Sequence, residues 1–322
     1  MLQRFTSRTS AVILVPWIRC SRRSKELPVP VFKHQASFEA RRLSAFVNLE
    51  AGLLRGKALS FKSLQPGRNG PYPVPVSLAK SRQKLLGAIS GSPNLTFIRA
   101  GGNIGDHLIR AGTRQLLSGR HYEEIFINKP QAARQVRGHT AIVTGGGGWC
   151  RPFHGTMPKI LPVIEKRFEK VVVFPSSVDT AVPEVREILG KTKATVFARE
   201  RRSYEQLKEL CNADLAHDCA FFFDFRPYHR PGKGTLTAYR TDAEAVSDEV
   251  PPGNEDISLS CRELDEWLWK IARHKSVETD RAHVMIAAAM LGKRVRYRAS
   301  SYHKVPEIAE YALKGFPVER MS

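Results

Sequence analysis

From residue 95 onward, apolar residues fall into two alternating textures. Short runs at 95–99, 124–128, 141–144, 171–175 and 194–198, each bounded by Gly, Pro or Ser, predict strands. Between them, longer segments such as 105–118, with Leu108, Ile109, Leu116 and Leu117, and 159–170 carry helical spacing. Strand and helix in alternation predict a parallel sheet covered on both faces. A further apolar run at 220–223 leads into Arg226-Pro-Tyr-His-Arg-Pro-Gly-Lys-Gly, whose composition marks a linker. Beyond Pro227 the alternation resumes, with strands expected at 235–239, 276–279 and 294–297 and helices at 263–274, 282–291 and 305–313.

Residues 1–92 read differently, with Pro-Val-Pro-Val at 28–31, a Pro/Gly-rich stretch at 65–73 and only scattered apolar pairs. The expected fold class is therefore α/β: two Rossmann-like domains facing across a cleft, over 93–226 and a smaller 227–322, after an irregular basic N-terminal extension at 1–92. Charge sharpens that division. The 322 residues carry a formal +20, and residues 1–90 alone hold 16 Lys/Arg against 3 Asp/Glu. The basic character belongs to the extension, so no nucleic-acid surface is expected on the fold. Residues 1–25 are Arg/Ser-rich with no acid before Glu26, which superficially suits a transit peptide but is read as a disordered basic arm.

The apolar run at 11–18 is broken by Pro16 and falls well short of the roughly 20 residues that span a bilayer. Five cysteines form no CxxC pair and no metal spacing with histidine, so neither a disulfide framework nor a metal centre is expected, and a reducing, cytoplasmic setting fits.

Candidate chemistry lies where strands end. Thr279-Asp280-Arg281-Ala282-His283 closes an apolar run just before a small, apolar helix, placing a cation and an imidazole at a strand's carboxyl end, where α/β folds bind ligands. Arg199 ends the 194–198 run, and Lys304 follows the last strand of the second unit. Taken singly, each has an ordinary reading: Arg199 paired with Glu200 or Glu205, Arg281 with Asp280, His283 in the core, Lys304 in solvent. Their recurrence at equivalent positions suits a substrate with more than one negative charge. Gly101-Gly102-Asn103-Ile104-Gly105-Asp106 opens a helix but lacks the GxGxxG spacing, and no acid ends the 124–128 run to hold a ribose. A dinucleotide is disfavoured, and Asn103 and Asp106 suit hydroxyl groups better. Four glycines, Gly145 to Gly148, exceed what a turn needs. They imply close approach by a ligand or backbone, the alternative being a flexible loop.

Together these segments resemble the polysaccharide pyruvyl transferase family. The resemblance runs from about Gly101 to Ile308 through Gly-Asn-Ile-Gly-Asp (102–106), Gly-Gly-Gly-Gly (145–148), Phe-Pro-Ser-Ser-Val (174–178), Ala-Arg-Glu-Arg-Arg-Ser-Tyr-Glu (198–205), Asp-Cys-Ala-Phe (218–221), Tyr-Arg-Thr-Asp (239–242), Thr-Asp-Arg-Ala-His (279–283), Met-Leu-Gly-Lys (290–293) and Tyr-His-Lys (302–304). It implies a two-domain, GT-B-like transferase that moves the enolpyruvyl-derived group of phosphoenolpyruvate onto two sugar hydroxyls, giving a pyruvate ketal on a polysaccharide or its precursor. His283, Arg281 and Arg199 then map onto catalytic positions. Lys304, Asn103, Asp106, Gly102, Gly146, Gly147 and Ser177 map onto substrate-binding ones. Phosphoenolpyruvate enters as donor substrate, with no cofactor and no metal, and the acceptor is a glycan or lipid-linked sugar. The basic N-terminus is expected to give peripheral contact with anionic membrane at its inner face. The competing expectation from the same architecture is a nucleotide-sugar glycosyltransferase using Tyr239 and Asp242.

Overall fold

The computed structural model describes residues 76–246 and 250–321, all within one compact unit. Most of the basic extension, residues 1–75, lies outside the described residues. Among those described, seven parallel strands form one sheet: β1 (Leu95–Arg99), β2 (Tyr122–Phe126), β3 (Gly138–Val143), β4 (Gly146–Trp149), β5 (Phe168–Val178), β6 (Thr195–Ala198) and β7 (Ala213–Leu215). Their order is β2-β1-β3-β5-β6-β7, with β4 beside the second half of β5. A second parallel sheet holds β8 (Thr235–Ala238), β9 (Ser276–Thr279), β10 (Arg294–Tyr297) and β11 (Val318–Arg320), ordered β11-β10-β9-β8. The chain is thus an α/β protein with parallel sheets. None of its described helices is long and apolar enough to cross a membrane.

Local sequence explains this arrangement. The runs in β3 and β5 are buried on both faces, as central parallel strands covered by crossover helices must be. Ile104–Leu116 links β1 to β2, Pro183–Lys191 links β5 to β6, and Ala282–Met290 links β9 to β10. The last of these is apolar almost all round and buried, packed against Ile104–Leu116 and the 3₁₀ turn Cys219–Phe222 in a core that joins the two sheets. Gly112 permits that closeness: a Cβ there would meet the Cys219 carbonyl oxygen at 1.9 Å. The structure therefore fixes the relative positions of strand ends from both sheets.

The helix Val76–Ala88, inside the stretch read as extension, is tied down by His217. That side chain is 1% exposed, with Nδ1 2.8 Å from Ser81 Oγ and its ring tilted against Tyr311. Burial pushes its pKa down to about 4, against a smaller opposing effect of Asp218. The unfolded chain then binds the extra proton more readily below the ordinary histidine value. Stability present at neutral pH is lost as pH falls from about 6.5 toward 4, on the order of 3 kcal/mol in all. Melting curves across that window are expected to drop more steeply for the wild type than for His217→Gln; equal slopes would assign the acid sensitivity elsewhere.

Candidate active site

The carboxyl ends of both sheets deliver side chains to one place. Arg199 follows β6 and is 1% exposed, and its Nε donates to Ser177 Oγ in β5 at 2.8 Å. Its Nη1 donates to Asp218 Oδ2 beyond β7, also at 2.8 Å. Burial works against the guanidinium charge, and Asp218, Tyr302 and Cys150 together outweigh it. From the second sheet, His283 in the first turn of Ala282–Met290 brings Nε2 to 3.4 Å from Arg199 Nη1 and 3.5 Å from Asp218 Oδ2. An unprotonated Nε2 accepts from Arg199, and a protonated one donates to Asp218, so the ring finds a partner in either state without moving. Asp218 itself stays ionised: burial would raise its pKa, but His283 and Arg199 hold it well below the usual carboxylate range.

The glycine-rich opening of Ile104–Leu116 lies against this imidazole. A Cβ on Gly105 would stand 2.8 Å from His283 Nδ1, and one on Gly102 would stand 2.2 Å from Asp106 Oδ2. Asn103 and Asp106 form a capping box: Asn103 Oδ1 accepts from Gly105 N at 2.8 Å, and Asp106 Oδ2 accepts from Asn103 N at 2.9 Å. The glycine run is a strand, β4, rather than a flexible loop. Gly145 is required because a Cβ would meet the Pro175 carbonyl oxygen at 2.3 Å. A Cβ on Gly146 would lie 3.5 Å from Asp106 Oδ1, and one on Gly147 would lie 3.1 Å from the Tyr302 hydroxyl and 3.7 Å from Arg199 Nη2.

A second buried network adjoins the first. Lys304 Nζ donates to Glu244 Oε2 at 2.9 Å, and Arg240 pairs with the same oxygen. Arg240 Nε also donates to Asp242 Oδ1 at 2.8 Å, while Asp242 Oδ2 accepts from Arg281 Nη2 at 3.0 Å. Arg281 closes the chain on Asp256, donating from Nε at 2.6 Å and from Nη2. Burial lowers the pKa of Lys304, and the nearby Arg240 and Arg199 add to that despite Glu244.

The structure brings Arg199, His283, Ser177, Gly147 and the capping box together, with Lys304 beside them across the Tyr302 ring at 4.7 Å. Arg281 stands one relay away, its guanidinium turned to Asp256 and Asp242. The carboxylate partners differ from those the sequence suggests. Arg199 takes Asp218 in place of Glu200 or Glu205, and Asp280 accepts from the Arg240 backbone N–H rather than from Arg281. A shallow concavity lined by Arg137, Phe168 and Glu169 lies at the opposite, amino-terminal edge of β3 and β5.

The model of the polysaccharide pyruvyl transferase family matches residues 103–302, from the capping box to Tyr302. The chain belongs to the polysaccharide pyruvyl transferase family. As a member it is a transferase. In fold it is similar to the crystal structure of a functionally uncharacterized protein from Klebsiella pneumoniae subsp. pneumoniae NTUH-K2044, at TM-score 0.63 and 23% identity, covering 76% of this chain and 98% of that one. Among curated proteins none matches the chain. Within this pyruvyl transferase, Asp218, Arg240, Glu244, Asp256 and Tyr302 belong to the site without having been singled out from the sequence. For three of them the signal was present, in Asp-Cys-Ala-Phe, Tyr-Arg-Thr-Asp and Tyr-His-Lys.

Proposed function

We propose that the protein transfers the enolpyruvyl-derived group of phosphoenolpyruvate onto two hydroxyls of a sugar, forming a pyruvate ketal on a polysaccharide or its precursor. The observation that carries this reading is the His283 imidazole set between Arg199 and Asp218, where strand ends of the two sheets meet. In the reaction, His283 delivers a proton to the methylene carbon, and the adjoining carbon, now cation-like, is attacked by a sugar hydroxyl. Phosphate leaves with the electron pair of its C–O bond, and the second hydroxyl closes the ketal. Of the two hydroxyl protons released, one balances the new methyl group and the other leaves on phosphate. The donor carries about three negative charges, so its desolvation demands cations. Arg199, whose Nη2 lies beside Gly147, faces it, with Lys304 and Arg281 behind. Asn103 and Asp106 border the acceptor side.

The two sheets act in this reading as the two halves of a GT-B-like enzyme, and the basic extension holds it near anionic membrane in the cytoplasm. A nucleotide-sugar donor fits less well: Tyr239 lies under the Arg298 guanidinium at 4.4 Å, and Asp242 is gripped by Arg240 and Arg281. Offering phosphoenolpyruvate and, separately, nucleotide sugars with a panel of glycan acceptors tests the choice. Phosphoenolpyruvate should be consumed, with a product heavier by pyruvate less water; consumption of a nucleotide sugar alone would overturn the proposal.

A further inference from the structure

Two buried polar atoms at the centre of this site have no hydrogen-bond partner among the described residues: the Tyr302 hydroxyl and Glu244 Oε1. The Glu244 side chain is 1% exposed, and its other oxygen is taken by Lys304 and Arg240. The Tyr302 ring is held by the Lys304 ammonium at 4.7 Å and edge-on to His303 at 5.7 Å, which aims its hydroxyl at Gly147. Burial, then Cys150 and Glu244, raise the phenol's pKa, so it stays a donor, with the Glu244 carboxylate as its near neighbour.

Leaving such groups unpaired is costly, and native proteins tolerate it chiefly where a ligand completes the set. One of the two lacks an acceptor, the other a donor. An anion would answer Tyr302 alone and be repelled by Glu244; a cation would answer Glu244 alone. A hydroxyl group answers both, accepting from the phenol and donating to the carboxylate. We infer that Tyr302 and Glu244 together bind one hydroxyl of the acceptor sugar and hold it beside Arg199. One lone pair of that hydroxyl is engaged by the phenol and its proton by Glu244, which leaves the second lone pair to face the donor carbon. The assignment rests on the pyruvyl-transfer reading and adds the acceptor's place within it.

Tyr302→Phe removes one buried oxygen that has no hydrogen-bond partner among the described residues, so its melting temperature should equal or exceed that of the wild type. With the glycan that the wild type consumes fastest, its acceptor KM should rise by at least about tenfold. Its affinity for phosphoenolpyruvate, measured by calorimetry, should stay within about twofold. Glu244→Gln, which keeps the shape and loses the charge, should raise the same KM. An acceptor KM unchanged in Tyr302→Phe overturns the assignment. So does a loss confined to phosphoenolpyruvate affinity, which would make the phenol a donor contact, and so does a lowered melting temperature with unaltered kinetics, which would make it structural. Failure of the wild type to consume phosphoenolpyruvate sinks the transfer reading itself, and is visible before either variant is measured.

Discussion

Replacing His283 with alanine is expected to slow ketal formation by about 10²–10⁴-fold, the usual cost of losing a general acid or base, with the protein still folded. Folding should survive because the imidazole is not what anchors its neighbours. Arg199 keeps Ser177 and Asp218, both at 2.8 Å, and the helix Ala282–Met290 is held by its other buried side chains. What disappears is a group that finds a partner whether or not Nε2 carries a proton, Arg199 on one side and Asp218 on the other. His283→Gln is the informative companion, since an amide can occupy the same space and hydrogen-bond but cannot carry the proton. Both variants should bind phosphoenolpyruvate within a few-fold of the wild type and turn it over slowly. Near-full turnover in either, measured as phosphate release under saturating donor, would remove His283 from proton delivery.

Arg199 and Arg281 were legible in the sequence because each closely follows a strand that its apolar run announces, and Lys304 because it opens the helix after one. The partners were not, because charge pairing is a property of the folded chain: Asp218 lies 19 residues from Arg199, Asp256 lies 25 from Arg281, and Glu244 lies 60 from Lys304. The three cations whose recurrence suits an anion each have a buried carboxylate partner, in a packed network. The same distinction runs through the fold. Strand β1 and the cores of β6, β9 and β10 fall where apolar runs sit between breakers. Strand β4 escapes because glycine carries no strand preference, and the register of its pairing with the extended end of β5 is written in backbone proximity alone. Strands β7 and β11 are three residues long and only partly buried, too short for a period to show. The helix Val76–Ala88 buries Leu78, Ser81 and Leu85 on one face amid Lys, Arg and Gln, a pattern that merges with the basic extension preceding it.

Arg199→Lys is expected to weaken phosphoenolpyruvate binding by about one to two orders of magnitude and to lower thermal stability measurably, although formal charge is conserved. The guanidinium does three things from one rigid fork at 1% exposure: Nε holds Ser177, Nη1 holds Asp218, and Nη2 is presented over Gly147. An ammonium on a shorter reach serves one of these directions well. If it stays with Asp218, the donor loses its closest cation; if it turns toward the donor, Asp218 is left as a buried charge without its partner, a loss worth about 3–5 kcal/mol in stability. Because Asp218 also faces His283 at 3.5 Å, the second alternative would pull the imidazole toward the carboxylate and away from the substrate. Ser177→Ala separates these effects, since it deletes the Nε contact alone and should cost about 1–3 kcal/mol with donor affinity nearly intact. Calorimetric titration with phosphoenolpyruvate alongside thermal melts reads both variants. A folded Arg199→Lys enzyme that binds the donor as tightly as the wild type would make the arginine a structural clamp, with the donor's charge met by Lys304 and Arg281.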